Sequence, residues 1–594
     1  MAHERWRHHL DYVIVLLGFA VGSGTFIKFP YLCMRNGGGA FLIPFVLFTI
    51  VGTIPCVFLE MVIGQYSQSG PVNVWNLCPP FKGIGVGTVI IMFLYTTSYS
   101  VIFAWFAYYF YNSFSSSLPW GHCGNTWNTE TCISHTIDDN RTLTNVSDML
   151  TNSTVGTYGT GPINVTSVAG MTATEEFWRL QVLQVTSGLE TIGDLRWTMA
   201  ACLLITYVIL FLCVFKGIRV SGKLVYVTVA VPYVLMLVFL VRGCLLPGSA
   251  DGIYYYIYPR FEKLLEPKIW IEACSFALYS LGIGFGCVIT LSGHSRFSNN
   301  CFKDAIQVTL IDMISTIIFG FAFFAVIGHV AYKRGLSVED FESSGFNLIF
   351  IVFPQILTYL PLPQVWAVFT FLMLMTLEID SLVPAFEIVV AAVRDQFPVQ
   401  AERRWLVTGA IAVGNFLFAL LYITQGGIYV LTLVDWFTYF PSVAIFVILE
   451  CLVVGWCYGA RRLQEDINSM WGKSVPRVMI ISIKYICPLL LLIIFCHSLY
   501  SYRPPKYGDY DYPPWATVVG WMVSLCSLVP LPIVFGVTVF RSSGNTLKMK
   551  LKHALVPDPS WIRRTSSDST TDEVLQPMAL EQERYLPSER TSSV

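Results

Sequence analysis

Apolar runs of about 20 residues, long enough to cross a bilayer core as a helix, recur between residues 10 and 540. No other feature constrains the fold as tightly. In hydrocarbon every backbone N–H and C=O needs a partner inside the protein, which leaves helices or a closed barrel, and runs this long favour helices. About twelve runs can be placed: 10–33, 39–66, 84–115, 198–215, 222–241, 268–293, 302–332, 364–395, 405–424, 427–455, 478–500 and 514–540. The expectation is an all-α integral membrane protein. Charge agrees with this, since 13% of residues are charged against about 25% in soluble domains. A nucleic-acid binder would carry a basic stripe with few apolar spans, and this chain, at net charge −1, has none. The 16 cysteines are scattered, mostly inside apolar runs, where they read as small core residues. No cleavable signal peptide is expected, because the first apolar run has no cleavage site before it turns into a glycine break.

Basic residues separate the two sides of the membrane. Arg5 and Arg7 precede span one; Lys216, Arg219 and Lys223 lie between spans four and five. Arg296 and Lys303 follow span six, Arg394, Arg403 and Arg404 follow span eight, and Arg461, Arg462, Lys473 and Arg477 follow span ten. Arg541, Lys548, Lys550 and Lys552 follow span twelve. With twelve spans these all fall on one side, so both termini are expected in the cytoplasm; Lys333 and Arg334 are the exception. The loop 116–196 then faces outward, and its four N-x-Ser/Thr sequons, at Asn140, Asn145, Asn152 and Asn164, read as glycosylation sites. Cys123 and Cys132 share that loop, either as free thiols or, in an oxidising compartment, as a disulfide. The expected layout is a cytoplasmic N-terminus (1–9), a membrane domain (10–540) and a polar, disordered cytoplasmic tail (541–594). Arg563-Arg564-Thr565-Ser566 in that tail reads as a basophilic kinase site. Its end, Ser592-Ser593-Val594, suits a PDZ domain, whose pocket takes a terminal carboxylate and an apolar last residue.

Span one is interrupted at Val21-Gly22-Ser23-Gly24-Thr25. Each glycine weakens a helix by about 1 kcal/mol, and backbone groups freed in hydrocarbon cost several kcal/mol if unpaired. Span six is broken in the same manner at Gly282-Ile283-Gly284-Phe285-Gly286. Either break alone would read as helix packing through small residues. Two breaks five spans apart predict inverted repeats with a binding site between them.

The residues around the first break carry a family resemblance. Phe19-Ala20-Val21-Gly22-Ser23-Gly24, Lys28-Phe29-Pro30-Tyr31 and Asn36-Gly37-Gly38-Gly39-Ala40-Phe41-Leu42-Ile43-Pro44 resemble the first two helices of the neurotransmitter:sodium symporters (solute carrier family 6). The similarity runs through most of Trp6 to Phe540. It implies the fold of the bacterial leucine transporter, with two inverted five-helix repeats and discontinuous helices one and six. The general pattern of paired broken helices is itself drawn partly from that protein, so the two arguments are not independent. It also implies a Cys123–Cys132 disulfide.

By the resemblance, one sodium site uses carbonyls of Gly18, Val21 and Leu377 with the side chains of Asp380 and Ser381. A carboxylate such as Asp380 inside a membrane helix is a site candidate on physical grounds as well. The other sodium site would use carbonyls of Ala20 and Ser280 and the Ser280 hydroxyl, with Thr25 and Asp312 where the family has asparagines. Asp312 adds a charge. The animal chloride positions read Phe45, Phe276, Ser280, Thr316 and Asp312, so two donors have become phenyl rings. An anion a few ångströms from Asp312 would lose about 4 kcal/mol at an effective dielectric near 20. Transport is therefore expected to be independent of chloride, and Asp312 to open the way to proton coupling.

Gly22 stands where monoamine carriers have an aspartate, so the resemblance points to an amino acid or related zwitterion. The substrate would lie among Gly22, Gly24, Tyr95, Tyr99, Tyr279, Ser280, Phe285 and Leu382, its carboxylate at the half-helix N-terminus. Glu378, on the face of Leu382 and Ala385, replaces a small family residue; it either sees the pocket and admits a cationic side chain or is bonded elsewhere. Lys28 and Asp435 would form the outer gate, with lysine lacking the arginine fork. Asp395 and Arg5 would form the inner one, since the usual arginine position is His3. Trp6 matches an anchor residue, and Glu60 a buried structural glutamate. The expected function is a sodium-coupled symporter of the plasma membrane, with a PDZ protein as a further partner. No assembled nucleophile, metal cluster or phosphate loop suggests an enzyme. The alternatives are a receptor or trafficking chaperone that no longer moves solute, and a channel.

Overall fold

The computed structural model describes residues 5–133, 171–335, 337–338, 346–397, 403–439, 441–508 and 510–561. The four sequons, the kinase-type motif, His3 and the Ser592–Val594 terminus lie outside these residues. Among the described residues, ten helices are long and apolar enough to cross a membrane, and a bent pair, His9–Ala20 with Gly24–Arg35, makes eleven. The expected sixth span is in two pieces, Pro267–Ser280 and Cys287–Gly293, too short to qualify as one helix. The only strands among the described residues are Lys506–Tyr507 and Tyr510–Asp511, which form a small hairpin.

The long helices Lys82–Asn112 and Pro363–Gln396 pack side by side and form the spine behind both broken spans. On the 116–196 side, aromatic rings close the bundle. Trp178 stacks on Phe350 at 4.2 Å, and Trp105 meets Trp178 edge-on at 5.1 Å. Stacked and edge-to-face pairs of this kind add about 0.5–1.5 kcal/mol beyond their buried area. The Cys123 and Cys132 sulfurs in this cap are 2.01 Å apart.

The expected disorder of 541–594 does not begin at its start. Leu547–Ala554 is helical, with the Thr546 hydroxyl accepting from Met549 N–H as an N-cap. Beyond it Trp561 is buried, its ring 5.0 Å from that of Tyr66 and its Nε1 donating to Tyr458 Oη at 3.3 Å. Asp558 N–H donates to Asn76 O at 2.9 Å, and Asn76 Nδ2 to Ser560 Oγ at 2.9 Å. The buried Trp561 ring, together with these hydrogen bonds of Asp558 and Ser560, holds this part of the tail against the membrane domain.

Candidate functional site

The first break is short. One helix ends at Ala20, the next starts at Ser23, and Gly22 is its extended N-cap (φ −95°, ψ −177°). The two pieces diverge by 52°. The expected break ran to Thr25; instead Gly24 and Thr25 form the first turn of the second piece. Thr25 N–H donates to Gly22 O at 3.1 Å and Gly22 N–H to Ala20 O at 3.1 Å. The first turn of a helix has N–H groups with no intrahelical acceptor.

The second break spans 281–286. Gly282, Gly284 and Gly286 all have positive φ (62°, 81° and 75°), a region that costs an L-residue about 1–2 kcal/mol. Glu60, fully buried, holds this loop: its Oε1 accepts from Gly284 N–H at 2.6 Å. The breaks touch each other, since a Cβ on Gly282 would lie 2.4 Å from the Phe19 ring.

Around the breaks the expected residues form two corners. In one, Thr25 Oγ1 donates to Ala20 O at 3.4 Å, and Ser280 Oγ donates to Asp312 Oδ2 at 2.9 Å. Asp312 Oδ1 is buried and accepts no hydrogen bond. Thr316 Oγ1 donates to Asp312 O at 2.8 Å. Beside this corner Phe29, Phe45 and Phe276 form a triad with ring distances of 5.1, 5.4 and 5.7 Å. The hydroxyls of Ser280 and Thr316 are thus spent on Asp312, and the neighbouring wall is phenyl.

In the other corner Asp380 Oδ1 accepts from Thr228 Oγ1, a partner that the sequence did not suggest. The backbone of Gly18 runs past it: a Cβ there would be 3.3 Å from Asp380 Cβ and Cγ. Ser381 Oγ donates to Leu377 O at 3.4 Å, and a Cβ on Gly22 would meet Ser381 Oγ at 2.7 Å. Val21 is buried at the break itself.

Between the corners lie the aromatics. Tyr95 and Tyr99 stack with centroids 4.1 Å apart. Tyr95 reaches Ser381, and Tyr99 reaches Tyr439. Tyr439, which no sequence pattern singled out, also meets Phe285 edge-on at 5.7 Å. Leu382 is fully buried on the same wall, and Tyr279 is half-buried at the start of the second break. A Cβ added at Gly24 would have nothing within 4 Å, so the face of this residue is open.

Lys28, exposed, acts electrostatically on Asp435. At the other end Asp395 Oδ2 accepts from Gly70 N–H at 2.9 Å and Asn73 Nδ2 at 3.4 Å, while Arg5 is exposed. A pair that sequence reasoning missed lies near it: His9 Nε2 is 2.9 Å from Asp304 Oδ1. Trp6 anchors the same end, Nε1 donating to Leu291 O at 3.0 Å. Among the described residues no group of three or more His, Cys, Asp or Glu could hold a metal ion as a dedicated cluster. The family model described as SNF, sodium:neurotransmitter symporter family, matches residues 3–542.

Proposed function

The chain belongs to the sodium:neurotransmitter symporter family, and from that premise we propose that it carries an amino acid or related small zwitterion into the cell. Members of this family are multi-pass membrane transporters, not enzymes, and couple a small-molecule substrate to sodium. The finer reading concerns the two corners. Ala20, Thr25, Ser280 and Asp312 would take one sodium ion; Gly18, Val21, Leu377, Asp380 and Ser381 would take the other. Sodium is a hard cation that wants oxygen, and the observation that carries this reading is Asp312. Its Oδ1 is buried with no hydrogen-bond donor, an arrangement that costs about 1–3 kcal/mol unless a ligand completes it.

The zwitterion's carboxylate would sit against the N-terminus of the Ser23–Arg35 helix and the first sodium, with Tyr99 beside it. Its side chain would face Tyr95, Tyr279, Phe285 and Leu382. Lys28 with Asp435, and Asp395 with Arg5, would close the two ends in turn as the broken spans rock. Chloride has no place in this scheme: both nearby hydroxyls already donate to Asp312, and Phe29, Phe45 and Phe276 offer no donor. We place both termini in the cytoplasm, the 116–196 loop outside with its disulfide and glycans, and the protein at the plasma membrane. Uptake of a labelled amino-acid panel in oocytes tests all of this. Replacing sodium is expected to abolish uptake, and replacing chloride by gluconate to leave it intact. Loss of uptake in gluconate would sink the chloride-independent reading alone.

A further inference from the structure

Where spans five and seven end, a group of tyrosines forms a feature that the transport cycle does not use. Span five runs to Cys244, and the short helix Ser249–Ile257 then packs against the helix Cys301–Arg334. Glycines let the two come close: a Cβ on Gly252 would meet Phe324 O at 2.0 Å, and one on Gly328 would meet Gly248 O at 2.7 Å. Tyr256 is fully buried in this contact and stacks on Phe324 at 4.9 Å. Tyr254, Tyr255 and Tyr258 do not follow it. With Asp251, Arg260 and Tyr332 they line a cleft of about 450 Å³. Small-ligand pockets commonly measure about 300–1,000 Å³.

The cleft carries both signs of charge among aromatic rings. Tyr254 and Tyr258, one helical turn apart, stack with centroids 5.1 Å apart and are 63% and 54% exposed, so ring surface is open to a ligand. Tyr255 Oη donates to Met34 O at 2.9 Å, so its hydroxyl is taken. The Arg260 guanidinium lies over the Tyr255 ring at 5.1 Å, and the adjoining backbone is held by a bridge between Gly38 and Pro259. Asp251, in the first turn of the short helix, is exposed. Ring faces attract a cation without offering it hydrogen-bond acceptors. They therefore suit a quaternary ammonium better than a primary one, which has three donors to satisfy. A positive group on the tyrosines and Asp251, with a negative group at Arg260, is the complement of a zwitterion. Because two spans end here, the cleft stands at the level of lipid headgroups. Tyrosines at that level anchor helices in general, but an anchor needs no shared cavity with an acid and a base on its walls.

We propose that this cleft binds the phosphocholine headgroup of a membrane lipid, with the trimethylammonium against Tyr254, Tyr258, Tyr332 and Asp251 and the phosphate at Arg260. The site is separate from the two broken spans, so it does not depend on which substrate is carried.

Native mass spectrometry of the full chain, released from detergent micelles, counts the lipids that stay bound. The probes are short-chain phosphatidylcholine, phosphatidylglycerol with the same acyl chains, and phosphocholine with none. Phosphatidylcholine is expected to reach half-saturation at a concentration at least tenfold lower than phosphatidylglycerol. Tyr254→Ala and Asp251→Asn are each expected to cut that preference at least fivefold, and Tyr254→Phe, which keeps the ring, to retain it. Both side chains are exposed, and an unchanged melting temperature without added lipid reports that each variant is folded. Phosphocholine is expected to displace the lipid only at tenfold or higher concentration. Displacement at equal concentration overturns the lipid source and gives the site to a soluble phosphocholine ester. Equal retention of the two lipids, or a preference that neither substitution moves, overturns the proposal.

Discussion

The two broken spans reach the same outcome by different physics. In the first span the interruption is brief and Gly22 keeps an ordinary extended backbone. What glycine provides there is clearance, since a side chain would run into Ser381. In the sixth span three glycines adopt left-handed backbone angles and Glu60 ties the loop down. There glycine provides conformation. A break that depends on clearance can yield by moving a neighbour, whereas one that depends on backbone angles cannot.

Substitutions can break or sharpen that contrast. Gly284→Ala should be the most damaging. It combines φ of 81° with a Cβ only 2.4 Å from Val447 Cγ2, penalties of about 1–2 and 1–3 kcal/mol. Sodium-dependent uptake should be lost along with much surface expression, measured by biotinylation. Near-normal uptake would mean that the loop is not glycine-dependent.

Glu60→Ala should follow, because it strips the acceptor from a buried N–H at a cost of about 1–3 kcal/mol. Uptake is expected to fall about tenfold. Glu60→Gln, which keeps an acceptor oxygen, should fall less; equal losses would point to charge rather than the hydrogen bond.

Gly22→Ala should be milder. Its clash is with the tip of one serine, and the expected result is a rise of several-fold in half-saturation for sodium with surface expression retained. Complete loss of expression would place the first break in the conformational class. Gly24→Ala should do least to the protein itself, within about 0.5 kcal/mol of wild-type stability, because nothing lies within 4 Å of its added carbon. A raised half-saturation for the substrate alone would show that the open face at Gly24 is occupied during transport.

Much of the fold was legible because hydrophobic run length and glycine placement are local properties. Spans two to five appear close to where the apolar runs put them, and the helix pieces flanking residues 281–286 end where the Gly-x-Gly-x-Gly pattern demands. The first break was overestimated because Gly24 and Thr25 fit a helical first turn as readily as a loop. What stayed hidden were pairings between distant residues that no local pattern marks. His9 and Asp304 are 295 positions apart, and Thr228 and Asp380 are 152 apart. Trp561 looked like part of a polar tail, because its anchors, Tyr66 and Tyr458, belong to other segments. Glu60 could be singled out in the sequence, whereas its bond to Gly284 emerges only from the fold.

Under the proposed chloride-independent cycle, the Phe29, Phe45 and Phe276 rings have an electrical consequence. A carboxylate built into the protein returns with the empty carrier, whereas a free anion is delivered with its load. A carrier whose wall excludes chloride therefore moves one more net positive charge inward per turnover, and each such charge is worth about 2.3 kcal/mol per 100 mV. Uptake would then draw on the resting voltage more steeply than in a chloride-coupled relative, and depolarisation alone should slow it.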